Sequence, residues 1–223
     1  ESVFKYEQEW RRMTERLGFW VDMDDPYVTY HDSYIESVWW AVKTIWEKGL
    51  MYRGHKVVPY CPRCGTALSS HEVAQGYRDV SDPSVFVRFR ARGQENLSLL
   101  AWTTTPWTLP SNVALAVSPD FEYAYVETGG EILIMAKDLV DARIAAPHSI
   151  LRTVRGSELI DMQYEPLYTF AIPDAPAYRV VAGDFVTLTE GTGIVHIAPA
   201  FGEDDMRVAQ SNGLPVVQLV DTQ

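Results

Sequence analysis

The chain of 223 residues predicts a mainly β fold with flanking helices, in which a helical segment precedes a closed or nearly closed β-barrel. Three observations carry this reading. Apolar residues recur at helical spacing up to about residue 50 and not clearly afterwards. Beyond that point the grammar changes to short strand-like runs. Gly and Pro punctuate those runs, as expected of small all-β domains that must close their edges.

Residues 1–50 read as a helical connector. Val3, Tyr6, Trp10, Met13 and Leu17 recur at spacings of 3, 4, 3 and 4, and Gly18 follows as a stop. Asp24-Asp25-Pro26 marks a loop. Ser33-Tyr34-Ile35-Glu36 has the capping-box pattern, and Ile35, Val38, Trp39, Val42, Ile45 and Trp46 make one apolar face. Lys48 and Gly49 close that helix. Tryptophans at this spacing read as core or docking surface rather than a ligand box.

Residues 51–80 read as a zinc-knuckle half and a β-ribbon linker, and residues 81–223 as the barrel. Strands are predicted over Ser84–Arg90, Leu97–Trp102, Val113–Val117, Phe121–Glu127 and Glu131–Met135, with Gly129-Gly130 as a hairpin turn. A helix is predicted over Lys137–Ala145. Further strands are predicted near Ile150–Val154, Tyr178–Ala182, Phe185–Leu188 and Ile194–Ala198, then a helix running to Gln210 with Gly213 beyond it. No internal repeat or low-complexity segment interrupts the pattern. The opening inside a helical pattern, and the end at Asp221-Thr222-Gln223 without a terminator, lead us to expect a fragment of something larger.

Composition excludes several classes. With 47% apolar and 22% charged residues the chain reads as an ordinary globular protein. No apolar run approaches the roughly 18 residues of a membrane span, and Glu1-Ser2-Val3-Phe4-Lys5-Tyr6-Glu7 lacks a signal-peptide pattern. Two cysteines do not make a disulfide scaffold, so the expected location is cytoplasmic and reduced. The net charge is −11, but residues 51–92 carry 7 Lys/Arg against 3 Asp/Glu, while residues 93–223 carry 6 against 17. The basic stretch either touches a phosphate backbone or is a solvated face. An acidic chain is a poor stand-alone nucleic-acid binder, so any RNA contact is expected to be local or held from outside.

Three segments could carry chemistry. Trp102-Thr103-Thr104-Thr105-Pro106-Trp107-Thr108-Leu109-Pro110-Ser111-Asn112 fits neither a helix nor an alternating strand. Its prolines predict a rigid loop, suited either to gripping a small polar ligand or simply to turning the chain. Cys61-Pro62-Arg63-Cys64 supplies two of the four ligands of tetrahedral Zn²⁺, and neither His55 nor His71 completes a familiar spacing. It is a zinc half-site with ligands elsewhere, a bare turn, or a feature of another role. Gly191-Thr192-Gly193-Ile194-Val195-His196-Ile197-Ala198-Pro199-Ala200-Phe201-Gly202-Glu203-Asp204-Asp205 allows close backbone approach, then a strand, then three acids at a helix start. Glu203 and Asp204 suit the positive end of a helix. Asp205, further in, is better placed to aim at a ligand cation. His196 reads as a core residue or a ligand contact. No G-x-S-x-G, H-E-x-x-H or P-loop occurs, which leaves covalent or zinc hydrolysis poorly supported.

Together, Trp102–Asn112, Gly191–Asp205 and Val57-Val58-Pro59-Tyr60-Cys61-Pro62-Arg63-Cys64-Gly65-Thr66-Ala67-Leu68-Ser69-Ser70-His71-Glu72-Val73 resemble isoleucyl-tRNA synthetase in its connective-peptide insertion, the editing domain. The likeness extends through Ile35-Glu36-Ser37-Val38-Trp39-Trp40. Valyl and leucyl relatives resemble T-T-R-P-E/D-T in the threonine loop, where this chain has Thr104-Thr105-Pro106-Trp107-Thr108. The H-I-G-H-like and K-M-S-K-S-like signatures are absent, so aminoacylation by this chain is not expected. The family's second C-x-x-C is also absent, so zinc at Cys61 and Cys64 is expected only in a full-length parent.

The resemblance implies an editing-domain β-barrel that hydrolyses valyl-tRNA(Ile), with valyl-adenylate as a second candidate substrate, and without a cofactor. A synthetic pocket separates valine from isoleucine by only ~1–3 kcal/mol, a figure established on this very family and not on this chain. A second pocket sized for valine supplies the remainder. By resemblance, Thr103, Thr104, Thr105 and Asp205 are catalytic, with Asp205 holding the α-ammonium and the threonine hydroxyls positioning adenosine, ester and water. Trp102, Thr108, Asn112 and His196 are substrate-binding, with Trp102 and His196 bounding the side-chain pocket. The implied partners are the valine-bearing 3′ end of tRNA(Ile) and the rest of a synthetase chain, with no membrane. The rival reading is a noncatalytic zinc-ribbon and β-barrel module that docks RNA or protein.

Overall fold

The computed structural model describes residues 2–220. The side chain of Val3 in the first predicted stripe, and the terminal Asp221-Thr222-Gln223, lie outside the described residues. The chain divides into two compact units, Glu1–Gly54 and His55–Gln223.

The first unit is helical. A 3-10 turn at Ser2–Tyr6 leads into α1 (Glu7–Arg16), and α2 spans Asp32–Glu47. Gly18 follows α1 in a left-handed conformation, so it stops the helix as its sequence position predicts. The Ser33–Glu36 capping box does not form. The carbonyl of His31 already accepts from the Tyr34 and Ile35 N–H groups, so α2 begins at Asp32 and Ser33 sits inside its first turn. Neither helix buries a residue. Trp10, Trp39, Trp40 and Trp46 are all exposed. The connection between them is held by edge-on rings, with Phe4–Tyr30 at 5.5 Å and Tyr27–Tyr34 at 5.0 Å.

The second unit opens with a two-residue ladder, β1 (Tyr60–Cys61) against β2 (Thr66–Ala67), then α3 (Ser70–Ala74). Ser69 and Glu72 form a reciprocal capping box on α3. The strands that follow are β3 (Val85–Arg90), β4 (Leu97–Thr103), β5 (Ala114–Val117), β6 (Glu122–Thr128), β7 (Glu131–Ala136), β8 (Ser149–Arg155), β9 (Arg179–Ala182) and β10 (Ile194–Ile197). They form a five-stranded sheet of order β3-β4-β7-β6-β8 and a three-stranded sheet of order β10-β5-β9. The β4–β7 and β5–β9 pairs are parallel and the others antiparallel. The predicted helix at Lys137–Ala145 is a 3-10 turn, Lys137–Leu139, followed by the short α4 (Val140–Arg143).

Mixed sheets with a few helices agree with the predicted class, but the barrel does not close as one ladder. Single bridges, Ala91 to Tyr164 and Gln163 to Arg179, join the two sheets on one side, and the Ala136 N–H to Thr192 carbonyl bond joins them on another. Pro166, Pro173 and Pro176 follow Tyr164, and each removes a donor a longer ladder would need. Phe185–Leu188 is not a strand either. Phe185 and Val186 pack into the core from a loop, so their apolar character reports burial and not pairing.

Every residue of β5 is buried, the pattern of a strand covered on both faces. Leu115 and Val117 join the main core with Phe89, Leu99, Tyr123 and Ile134. Ala114 and Ala116 join a second core with Val208 and Ala209 of α5 (Glu203–Asn212). The central strand beside the site is thereby clamped from both sides.

Candidate functional site

β4 delivers Thr103 to the edge of a cleft, and the chain leaves the sheet there. The following run is not irregular throughout: Pro106–Ser111 is a 3-10 helix with proline at its start, a short form that the fixed φ of proline permits. The Thr103 hydroxyl accepts the Thr105 N–H at 3.0 Å, and the two hydroxyl oxygens lie 3.2 Å apart. The Thr108 hydroxyl donates to the Thr105 carbonyl at 2.9 Å, and its oxygen is 3.0 Å from Nε2 of His196 on β10. Opposite them stands Asp205, in the first turn of α5, whose Oδ2 accepts the Ala198 N–H at 3.0 Å.

These groups line one cleft of about 310 Å³, formed by Trp102, Thr103, Thr104, Thr105, Thr108, Val195, His196, Phe201, Gly202 and Asp205. A larger groove of about 510 Å³ in the helical unit, lined by Asp25, Tyr27, His31, Ser33, Tyr34 and Ser37 among others, includes none of the residues that the sequence singles out for chemistry. Two glycines make the cleft possible. Gly193 has φ +72°, and a Cβ there would stand 2.5 Å from Cβ of Ala136, so only glycine brings the start of β10 against β7. At Gly202 a Cβ would stand 2.8 Å from the Asp205 carboxyl carbon.

Burial moves both titratable groups of the cleft. The Asp205 carboxyl is pushed up to about 6 by desolvation, against the lowering effect of the Ala198 N–H and with a small push from Asp204. His196 is pushed down to about 4 by desolvation, so its ring is neutral at pH 7. No lysine or arginine is among the lining residues. At neutral pH the cleft therefore holds one predominantly ionised carboxylate, a neutral imidazole and a row of hydroxyls. Such a set of groups is chemically suited to a small cation carrying an apolar group.

Seven of the eight predicted organic-site residues meet here: Trp102, Thr103, Thr104, Thr105, Thr108, His196 and Asp205. Asn112 stands apart. Its amide donates to the Ala114 carbonyl at 2.8 Å and its oxygen accepts the Tyr164 hydroxyl at 2.6 Å, both within the core. Glu203 is exposed, and Asp204 pairs with Arg207 at 3.0 Å on the outer side of α5. Cys61 and Cys64 flank a tight turn in which the Cys64 N–H reaches Cys61 Sγ at 3.4 Å. That contact lowers the Cys61 thiol, while the Cys61 side chain raises Cys64. Among the described residues no cluster of three or more His, Cys, Asp or Glu could hold a metal.

Residues 1–200 match the family model described as tRNA synthetases class I (I, L, M and V). The chain belongs to this family. It is 58% identical over 221 residues to isoleucine–tRNA ligase of Clostridium tetani, covering 99% of the chain and 21% of that protein. Against isoleucine–tRNA ligase of Bacillus thuringiensis it is 54% identical over 222 residues, again covering 99% of the chain and 21% of the relative. The chain thus spans about a fifth of the length of the curated relatives it matches. Among solved structures, the editing domain of P. knowlesi cytosolic leucyl-tRNA synthetase aligns with TM-score 0.47 and 15% identity over 61% of this chain and 64% of that one. A protein crystallised as GlLeuRS-CP1 aligns with TM-score 0.44 and 21% identity over 52% and 49%.

In this class I synthetase segment the cleft also includes Val195, Phe201 and Gly202, to which the sequence reading gives no role. Phe201 meets Trp107 edge-on at 5.2 Å, which ties the threonine turn to the approach to α5. The available signal for His196 was its place on the strand that follows Gly191-Thr192-Gly193. Nothing local marks Phe201 or Gly202, because their task is set by Trp107 and Asp205 across the cleft. Among the described residues no helix is long and apolar enough to cross a membrane.

Proposed function

We propose that this cleft is the hydrolytic proofreading site of an isoleucine–tRNA ligase, removing valine from tRNA(Ile). The observation that carries the reading is the meeting of Asp205 with Thr103, Thr104 and Thr105 in one small cleft walled by Trp102 and His196. Asp205 binds the α-ammonium of the misattached valine, a charge-assisted pairing that also favours the ionised carboxylate. The hydroxyls of Thr103, Thr104 and Thr105 both donate and accept, and so can hold the terminal ribose, the ester carbonyl and the attacking water. With no covalent nucleophile in the cleft, rate comes from positioning water against ester. The balanced step is addition of water to the ester carbonyl, then departure of the ribose hydroxyl with a proton, which yields free valine and uncharged tRNA(Ile).

The absence of a cation in the lining supports a supporting role for the rest of the synthetase, which would deliver the 3′ end at high effective concentration. Free tRNA binding by this chain is correspondingly weak. Zinc at Cys61 and Cys64 requires ligands from elsewhere in the parent protein, and a cytoplasmic, reduced setting suits two free thiols. The test is deacylation of valyl-tRNA(Ile) by the wild type, Asp205→Ala and Thr105→Ala. Hydrolysis by the wild type, with a loss of about 100-fold or more in Asp205→Ala, is expected. An inert but folded wild type would leave the docking-module reading in its place, and equal hydrolysis of isoleucyl-tRNA(Ile) would make the cleft an unselective esterase.

A further inference from the structure

We propose that Thr108 is a positioning residue that sets the acyl-size limit of the cleft, because its hydroxyl holds His196 in one tautomer and ties the ring to the threonine loop. The proposal rests on the proofreading reading above. It follows from a count of hydrogens. The Thr108 hydroxyl has one proton, and the Thr105 carbonyl oxygen, 2.9 Å away, can only accept it. With its proton on that carbonyl, the Thr108 oxygen accepts from His196 Nε2 at 3.0 Å, which is the arrangement in which Nε2 carries hydrogen. In the neutral ring that burial enforces, Nδ1 is left as the bare acceptor. It is enclosed and has no hydrogen-bond partner among the described residues. The other tautomer would bury an unpaired N–H at Nδ1 and turn the Thr108 proton away from the Thr105 carbonyl toward Nε2.

The relay runs one way, from His196 through Thr108 to the Thr105 carbonyl, and it joins residues 88 apart in sequence. It fixes the plane of the imidazole and the gap between β10 and the threonine turn. Two consequences separate it from a generic packing contact. Thr108 is buried and acts on the acyl group through His196. His196, protonated at Nε2 and enclosed at Nδ1, is a wall of the cleft and not the base that activates water.

The experiment pairs a ring spectrum with a selectivity ratio on the same protein. In long-range ¹H–¹⁵N spectra of this chain, the wild type should show a pyrrole-like Nε2 and a pyridine-like Nδ1 for His196. Thr108→Ser should keep that pattern, and Thr108→Val should lose it. In parallel, the rate of hydrolysis of valyl- over isoleucyl-tRNA(Ile) should fall about tenfold in Thr108→Val, the worth of one hydrogen bond, and be restored in Thr108→Ser. A wild-type ring protonated at Nδ1 overturns the proposal, as does an unchanged ratio in Thr108→Val. If Thr108→Val does not fold, the wild-type spectrum and the Thr108→Ser ratio decide. If the wild type hydrolyses neither ester, the proofreading reading fails, and the ring spectrum still judges the relay.

Discussion

Gly202 is the clearance that lets Asp205 fold back onto the Ala198 N–H: a Cβ at residue 202 would stand 2.8 Å from the Asp205 carboxyl carbon and 3.0 Å from its Oδ2. The backbone at Gly202, φ −134° and ψ 137°, is open to any residue, so the requirement is space and not conformation. Gly202→Ala should displace the carboxylate and lower valyl-tRNA(Ile) hydrolysis about 10- to 100-fold. Stability should fall by no more than about 1–2 kcal/mol, since one hydrogen bond is lost and no core contact is broken. Full activity with an unchanged melting curve would show that Asp205 does not need its observed position.

The two buried titratable groups drive stability in opposite directions with pH. Asp205 titrates at 3.8 unfolded and about 6 folded, so the native state holds the extra proton and stability falls as pH climbs from about 4 to about 6. His196 titrates at 6.5 unfolded and about 4 folded, so the unfolded state holds the extra proton and stability falls as pH drops from about 6.5 to about 4. Each slope amounts to about 2–3 kcal/mol at full extent, and across pH 4–6 they largely offset one another. Relative to the wild type, Asp205→Asn should be stabilised at pH 7 and lose that advantage by pH 4. His196→Asn should instead compare most favourably with the wild type near pH 4. Urea unfolding at pH 4, 5, 6 and 7 measures both differences, and flat differences for either variant would remove its group from the account.

Asn112 should behave as a structural residue. Asn112→Leu leaves the Tyr164 hydroxyl and the Ala114 carbonyl unpaired in the core, at a cost of about 2–4 kcal/mol. Tyr164→Phe removes one of those bonds and should cost about 1–2 kcal/mol. Hydrolysis per folded molecule should change far less in Tyr164→Phe than in Gly202→Ala. A selective activity loss in Tyr164→Phe, without destabilisation, would return Asn112 to the substrate.

Gly193→Ala combines a left-handed backbone with a Cβ only 2.5 Å from that of Ala136. The strand start must shift, and the bond between the Tyr123 hydroxyl and the Gly193 carbonyl, 2.7 Å long, shifts with it. A loss of about 3 kcal/mol or more in chemical denaturation is expected. Near-wild-type stability would mean that the β7–β10 approach is looser than observed.

Local patterns revealed most of the architecture. Strands β3 to β10 lie where short apolar runs between Gly and Pro punctuation place them, with Gly129-Gly130 turning β6 into β7, and α5 follows its acidic first turn and Gly213. The failures are equally physical. Ser33 and Glu36 have the capping residues, but hydrogen bonds to the His31 carbonyl start the helix two residues earlier. Phe185 and Val186 are as apolar as a strand, yet they bury themselves from a loop. The barrel stays open because the prolines after Tyr164 deny it the donors that a ladder needs.

The same division holds at the cleft. A threonine-rich turn between prolines and an acid at a helix start are properties of short stretches of chain, so residue order alone identifies the loop and Asp205 as candidates. Whether a hydroxyl faces substrate or neighbour is a property of distance between remote segments, and no local pattern encodes it. Folding turned Asn112 into the core, brought Thr108 onto a histidine 88 residues away, and cleared room for Asp205 at Gly202. Hydrogen-bond direction and burial, which exist only once those segments meet, decide which of the candidates can do chemistry and which hold the others in place.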